Sequence, residues 1–184
     1  MKITIGRVLV LFLSFFITFT TALADEGVTE GQSVYTQTNL WYEKPMKILA
    51  LFHKGTMLPV GTKVKIDDIG GSAIEFTRED GMEFRVYTKY YRMDGDELAK
   101  LLFGKDNPMA QGGKFHKFTK MEREQIKLGQ IKKGMSREAV IMSYCYPPTH
   151  KNPDLNADTW QLWKNRWNRM IITFKDNKVS NIRD

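Results

Sequence analysis

Residues 134–150 read GMSREAVIMSYCYPPTH, and the reading of this stretch decides both the C-terminal fold and whether an enzyme should be sought. Ser136 is placed to cap a helix, with Glu138 in the first turn where the helix dipole favours an acid. Val140, Ile141 and Tyr144 are then its buried positions, and Pro147-Pro148 forbids continuation. The stretch also holds the only cysteine, Cys145, five residues before His150. A nucleophilic pair would need a lowered thiol pKa and a base within reach. Cys145 instead stands at a helix C-terminus, whose partial negative charge raises a thiol pKa, and two prolines separate it from His150. The expectation is shape rather than chemistry, with no catalytic residue.

Just upstream, Thr119 and Glu122 form a capping box for an earlier helix. On its wheel Met121, Gln125 and Leu128 cluster on the inward side with Ile126 at the edge, and Lys120, Arg123 and Lys127 form an outward basic stripe. Gly129 and Gly134 bracket the connector. Downstream, three strands are expected: Trp160 with Leu162, then Met170, Ile172 and Phe174, then Val179 and, in a register left open, Ile182. Asp176-Asn177 fits a tight turn between the last two.

In the N-terminal half, Val64 and Ile66 alternate with Lys63 and Lys65, and Ile74 with Phe76 and Phe84 with Val86 follow the same period. Pro59 with Gly61, Gly70-Gly71 and Asp80-Gly81 punctuate these strands. Asp80-Gly81 suggests a type I′ hairpin with both central residues at positive φ. A short helix follows, capped by Asp94 or Asp96, with Leu98, Leu101 and Leu102 inward and Gly104 at its end. Residues 105–118, with a proline, adjacent glycines and little periodicity, read as a linker.

The first 24 residues have the parts of a secretion signal: Lys2 and Arg7, an apolar run, and Ala22-Leu23-Ala24 as a cleavage site. A retained anchor is the rival reading, although the run is shorter than a spanning helix prefers. Removing Lys2 and Arg7 lowers the net charge from +7 to +5. The remaining chain, about 160 residues, suffices for one domain or two small ones. A lone cysteine cannot form an internal disulfide. His53, His116 and His150 lie far apart without ligand spacing, so no metal site and no cofactor is expected.

Between Lys105 and Arg137, nine Lys or Arg face three acids. Lys114, Lys117, Lys120, Arg123, Lys127, Lys132 and Lys133 are therefore candidates for binding an anionic surface such as lipid headgroups, an acidic polymer or an acidic protein face. Nucleic acid is not expected, because the segment lacks interleaved aromatics. Trp160 and Trp163 must point to opposite sheet faces. Trp163, Arg166, Trp167 and Arg169 are thus a candidate partner patch or an interdomain contact.

Gly134-Met135-Ser136, Val140 and Cys145-Tyr146-Pro147 resemble the motif G-M-[ST]-x-x-x-V-x-x-x-x-G-x-P of the SmpA/OmlA (BamE-like) domain family, and the likeness continues through Trp160 to Trp163 and Ile172 to Val179. It covers residues 119–184. It implies two helices packed on a three-stranded antiparallel sheet, in an envelope protein of a double-membraned bacterium without catalytic residues. The best-known members are outer-membrane assembly lipoproteins that contact proteins and anionic phospholipid. This chain differs in lacking a cysteine after its signal, in carrying an extra β half, and in having Cys145 where the motif has glycine. The short, closely spaced strands of the N-terminal half suggest a small curled sheet or barrel, and LPVGTKVKI, Leu58 to Ile66, is similar to bacterial SH3-like domains, which implies a wall-binding or interaction module.

The expectation is an α+β chain with residues 25–104 as a small β domain ending in a short helix, 105–118 as linker, and 119–184 as a BamE-like domain. It would be exported to the periplasm or outer membrane, not lipid-anchored, without a transmembrane helix after signal removal. Its task would be binding an envelope protein or an anionic lipid or polymer surface. An enzyme-inhibitor or sensor module is the alternative, since the αα-βββ order is also similar to half of a β-lactamase-inhibitor protein, and a thiol enzyme is third. At Cys145 the motif's glycine would relax a left-handed helix end, so either strain or a different helix ending is expected there.

Overall fold

A computed structural model describes residues 27–184, and the expected secretion signal lies outside the described residues. The described residues are α+β, with three α-helices and three antiparallel sheets among them. In order, the elements are β1 (Ser33–Thr36), β2 (Leu40–Tyr42), β3 (Thr56–Leu58), β4 (Lys63–Ile69), β5 (Ala73–Arg78), β6 (Glu83–Tyr87), α1 (Gly95–Leu102), β7 (Phe103–Gly104), α2 (Lys120–Leu128), α3 (Arg137–Tyr144), β8 (Thr159–Trp163), β9 (Arg169–Lys175) and β10 (Lys178–Arg183).

The N-terminal sheet runs β6-β5-β4-β1-β7, and β2 pairs with β3 beside it. Val64, Ile66, Ile74, Phe76, Phe84 and Val86 are all buried on one face, as their alternation requires. The β5–β6 hairpin differs from the expected turn. Only Gly81 has positive φ, +83°, and the Gly81 N–H donates to the Arg78 carbonyl while the Arg78 N–H donates to that of Met82. This is a type I turn followed by a left-handed glycine. The primed geometry occurs instead at Asp176-Asn177 between β9 and β10, where φ is +51° and +59°.

Asp94 and Glu97 complete a capping box for α1. Gly104 does not end the helix, because Phe103 already turns extended and both residues pair with β1 as β7. The 105–118 segment is packed rather than loose: Phe115, in a single 3-10 turn (Lys114–Lys117), is buried among residues of the C-terminal core, and the Gln37 amide donates to the Asp106 carbonyl.

In the C-terminal part α2, α3 and the sheet β10-β9-β8 share one core, built on Ile126, Val140, Trp160, Ile172 and Phe174. The face of α2 is rotated from expectation. Glu122 and Ile126 point inward, whereas Leu128 is 57% exposed. The reason is polar: the buried Glu122 carboxylate accepts hydrogen bonds from the N–H and hydroxyl of Thr119 and from the N–H of Ser136, so it ties the caps of both helices together. A bulge between Val179 and Asn181 shifts the register of β10 and leaves Ile182 half-buried against the core.

The α3 helix ends at Tyr144, before the prolines. Cys145 has φ +63° and ψ 173°, a region that is essentially glycine's alone. Both expected outcomes are thus realised: the residue is strained, and the ending is not the left-handed helical cap that glycine gives. The cysteine side chain leaves its own helix's core and is buried in the N-terminal one, beside Tyr91.

Candidate functional site

Cys145 marks a seam along which the two halves exchange polar contacts. Asn39, buried just before β2, donates from its amide to the carbonyls of Ile126 at 2.7 Å and Ser143 at 3.0 Å, and accepts from the Val60 N–H at 2.8 Å. Thr38 donates to the Ile141 carbonyl at 2.5 Å. These acceptors include carbonyls near the end of α3, which its helix leaves without partners. Gly129, left-handed at φ +62°, lets α2 end against the N-terminal half, since a Cβ there would lie 2.5 Å from the Trp41 ring.

Further along, His53 reaches across from the 41–54 segment. Its ring stacks on Tyr144 with centroids 3.3 Å apart, Nδ1 faces the Trp163 carbonyl at 2.8 Å, and Nε2 faces that of Tyr144 at 2.5 Å. A neutral imidazole carries one N–H, so only one of these carbonyls accepts a hydrogen bond from the ring. Burial pushes the His53 pKa down to about 4, opposed by the two carbonyls, which favour the protonated ring.

The Cys145–His150 pair does not form. Burial raises the Cys145 thiol to about 11, its neighbour being the Tyr91 hydroxyl at 3.9 Å, while His150 Nδ1 faces the Tyr90 carbonyl at 3.0 Å. Thr149 donates to the Tyr91 carbonyl and Tyr91 to that of Tyr146, so this loop is part of the seam. Among the described residues, no group of His, Cys, Asp and Glu is arranged to hold a metal ion. No described helix is long and apolar enough to cross a membrane.

The basic residues are divided. Lys114, Lys117, Lys120, Lys127, Lys132 and Lys133 are exposed, whereas Arg123 is half-buried and donates to the Phe118 carbonyl at 2.7 Å, where it braces the start of α2. The four-residue tryptophan patch divides as well. Trp163 is half-buried against His150 and bridges to Phe52, so it belongs to the seam. Arg166, Trp167 and Arg169 are exposed at the β8–β9 hairpin, Trp167 at 81%.

No family model, curated protein or solved structure matches the chain. The functional reading therefore rests on its own residues.

The hairpin tip is built to hold its shape. Asn165 Oδ1 accepts from the N–H groups of Trp167 at 2.9 Å and Asn168 at 3.0 Å, and the Lys164 N–H closes the loop on the Asn168 carbonyl. The Arg166 guanidinium lies 5.2 Å from the centroid of the Trp167 ring. Between this tip and the 41–54 segment lies an open cleft of about 880 Å³, bordered by Trp41, Phe52, Lys44, Lys47, Arg166 and Trp167. Among the described residues, Lys44, Lys47, Arg166 and Arg169 take part in no ion pair, while the one acid bordering the cleft, Glu43, pairs with Lys54 at 2.8 Å. Sequence reading found the tip but missed the opposite wall. The signal was present in residues 41–54, WYEKPMKILALFHK, where aromatics and lysines interleave as they do not in 105–137.

Proposed function

We propose that this chain is a non-catalytic, exported module of the cell envelope that binds an anionic surface or ligand through the lip formed by the β8–β9 tip and the 41–54 segment. We propose further that residues 119–184 adopt the BamE-like arrangement, preceded by an SH3-like β half. The observation that carries the binding reading is Trp167: a large apolar ring, 81% exposed, on a braced tip beside unpaired cations. Leaving such a ring in water forgoes about 2 kcal/mol of burial, and contact with a partner recovers it. The charges around it select negative partners and make the association sensitive to salt. The exposed lysines between 114 and 133 add to the general positive field. A thiol mechanism has little support, because the only thiol is buried and held protonated at neutral pH.

The test is co-sedimentation with anionic and neutral vesicles, run beside pull-down from an envelope extract. The reading expects retention on an anionic phase that falls as salt rises and is lost when Lys44, Lys47, Arg166 and Arg169 are changed to Gln. Retention indifferent to salt and to these changes would contradict it, as would stoichiometric capture of a hydrolase by that variant.

A further inference from the structure

We infer that the cleft between Trp41 and Trp167 is a binding site for an acidic glycan, a chain of sugar rings bearing carboxylate or phosphate groups. This rests on the proposed anionic-ligand reading and narrows it. The cleft's volume of about 880 Å³ lies in the range of small-molecule sites, about 300–1,000 Å³. It is concave, which a ligand that enters between two walls requires and a flat bilayer surface does not supply.

The walls have mixed chemistry. Trp41 and Phe52 border it from one side and Trp167 from the other, and the negative quadrupole of an aromatic ring attracts the weakly positive C–H faces of a sugar ring. Lys44 and Lys47 are set on one turn, closed by the bond from the Lys47 N–H to the Lys44 carbonyl, and both are exposed and outside any ion pair among the described residues. They and Arg166 supply the charges for carboxylate or phosphate groups. Asn168 borders the cleft, and its side-chain amide makes no hydrogen bond to the described residues, so donor and acceptor remain for hydroxyl groups. Aromatic faces, amide and cations around one concavity match a ligand that alternates C–H faces, hydroxyls and negative charge. A protein partner of ordinary interface size would bring about 800 Å² of contact per side, whereas the apolar groups here, the rings of Trp41, Tyr42, Phe52 and Trp167 with Leu49, border a hollow.

The experiment is calorimetric titration of residues 25–184 with oligogalacturonate and with phosphorylated dextran fragments. The uncharged counterparts, methyl-esterified oligogalacturonate and plain dextran fragments, serve as controls, with inorganic phosphate and phosphatidylglycerol vesicles as separate arms. The inference expects at least one acidic oligosaccharide to bind, with its uncharged counterpart at least about tenfold weaker and no binding of inorganic phosphate. Trp167→Ala should weaken binding about tenfold, and Lys44→Gln with Lys47→Gln should weaken it and flatten its salt dependence. Thermal unfolding of each variant, expected unchanged, separates lost binding from lost fold. Equal binding of charged and uncharged sugars, or acidic-sugar binding indifferent to Trp167→Ala, would overturn the glycan site. Binding to vesicles but to neither acidic sugar would overturn it and leave the anionic-surface reading standing. Failure of every arm would overturn both.

Discussion

The seam and the lip draw on similar residues and use them in opposite ways. At the seam, Asn39 and Cys145 are buried and His53 and Trp163 half-buried; Asn39 and His53 meet carbonyls from the other half, Trp163 offers one of those carbonyls, and the Cys145 thiol lies beside the Tyr91 hydroxyl. At the lip, Trp167, Arg166, Lys44 and Lys47 stand in water with little structural use. Trp163 and Trp167 are four residues apart and fall on different sides of this division. What separates them is whether the 41–54 segment crosses over them. Residue type alone therefore does not tell glue from contact surface here; coverage by a distant segment does.

That contrast breaks most readily at Asn39. Replacing it with Leu removes two donated bonds and one accepted bond in a buried place and strands carbonyls of both C-terminal helices, for an expected loss of about 3–5 kcal/mol in denaturant unfolding. A loss below 1 kcal/mol would mean that the halves do not depend on the seam.

Glu122 gives the next largest effect. Despite the desolvation that burial imposes, hydrogen bonds from Ser136 and Thr119 hold its carboxyl at about 2, below the ordinary 4.5. The unfolded chain then binds more protons between those values, so about 3 kcal/mol of stability, fully present above pH 4.5, is lost as pH falls toward 2. Glu122→Gln should remove this acid slope. His53 acts in a higher window. Its folded pKa of about 4 lies below the ordinary 6.5, so stability should fall as pH falls from 6.5 to 4, and His53→Phe should flatten that part of the profile. A flat wild-type profile over that window would show that the two carbonyls fully offset burial.

A smaller effect tests the strain at Cys145. Cys145→Ala and Cys145→Gly both remove the thiol, but only glycine relaxes the backbone at φ +63°. The glycine variant should be the more stable of the two by about 1 kcal/mol. The reverse order would show that the backbone there is not strained. Smallest is Trp167→Ala, whose unfolding midpoint should move by no more than about 0.5 kcal/mol in free-energy terms.

Much of the framework was legible because it is periodic and local. The alternation of Val64 with Ile66 and of Trp160 with Leu162 gives the strand faces, and the Thr119 and Ser136 caps start α2 and α3 where expected. The two turns were read less well: Asp80-Gly81 resembles a primed turn, but there the glycine alone takes positive φ, whereas Asp176 and Asn177 take it together without a glycine. Leu128 and Glu122 exchanged places because hydropathy ranks a leucine inside and cannot see that the carboxylate will find the Ser136 N–H fourteen residues away. The site was legible on one wall only. Trp167 could be singled out from its own segment, but its separation from Trp163 and the cleft itself depend on residues 41–54, more than a hundred positions earlier.

The most direct test of the division between seam and lip is an amide-resolved NMR titration of residues 25–184 with oligogalacturonate. The account predicts shifts confined to residues 41–54 and 164–169, with the amides of Asn39 and Ser143 unmoved. Shifts centred on Lys114–Lys133, or spread along the seam, would contradict it.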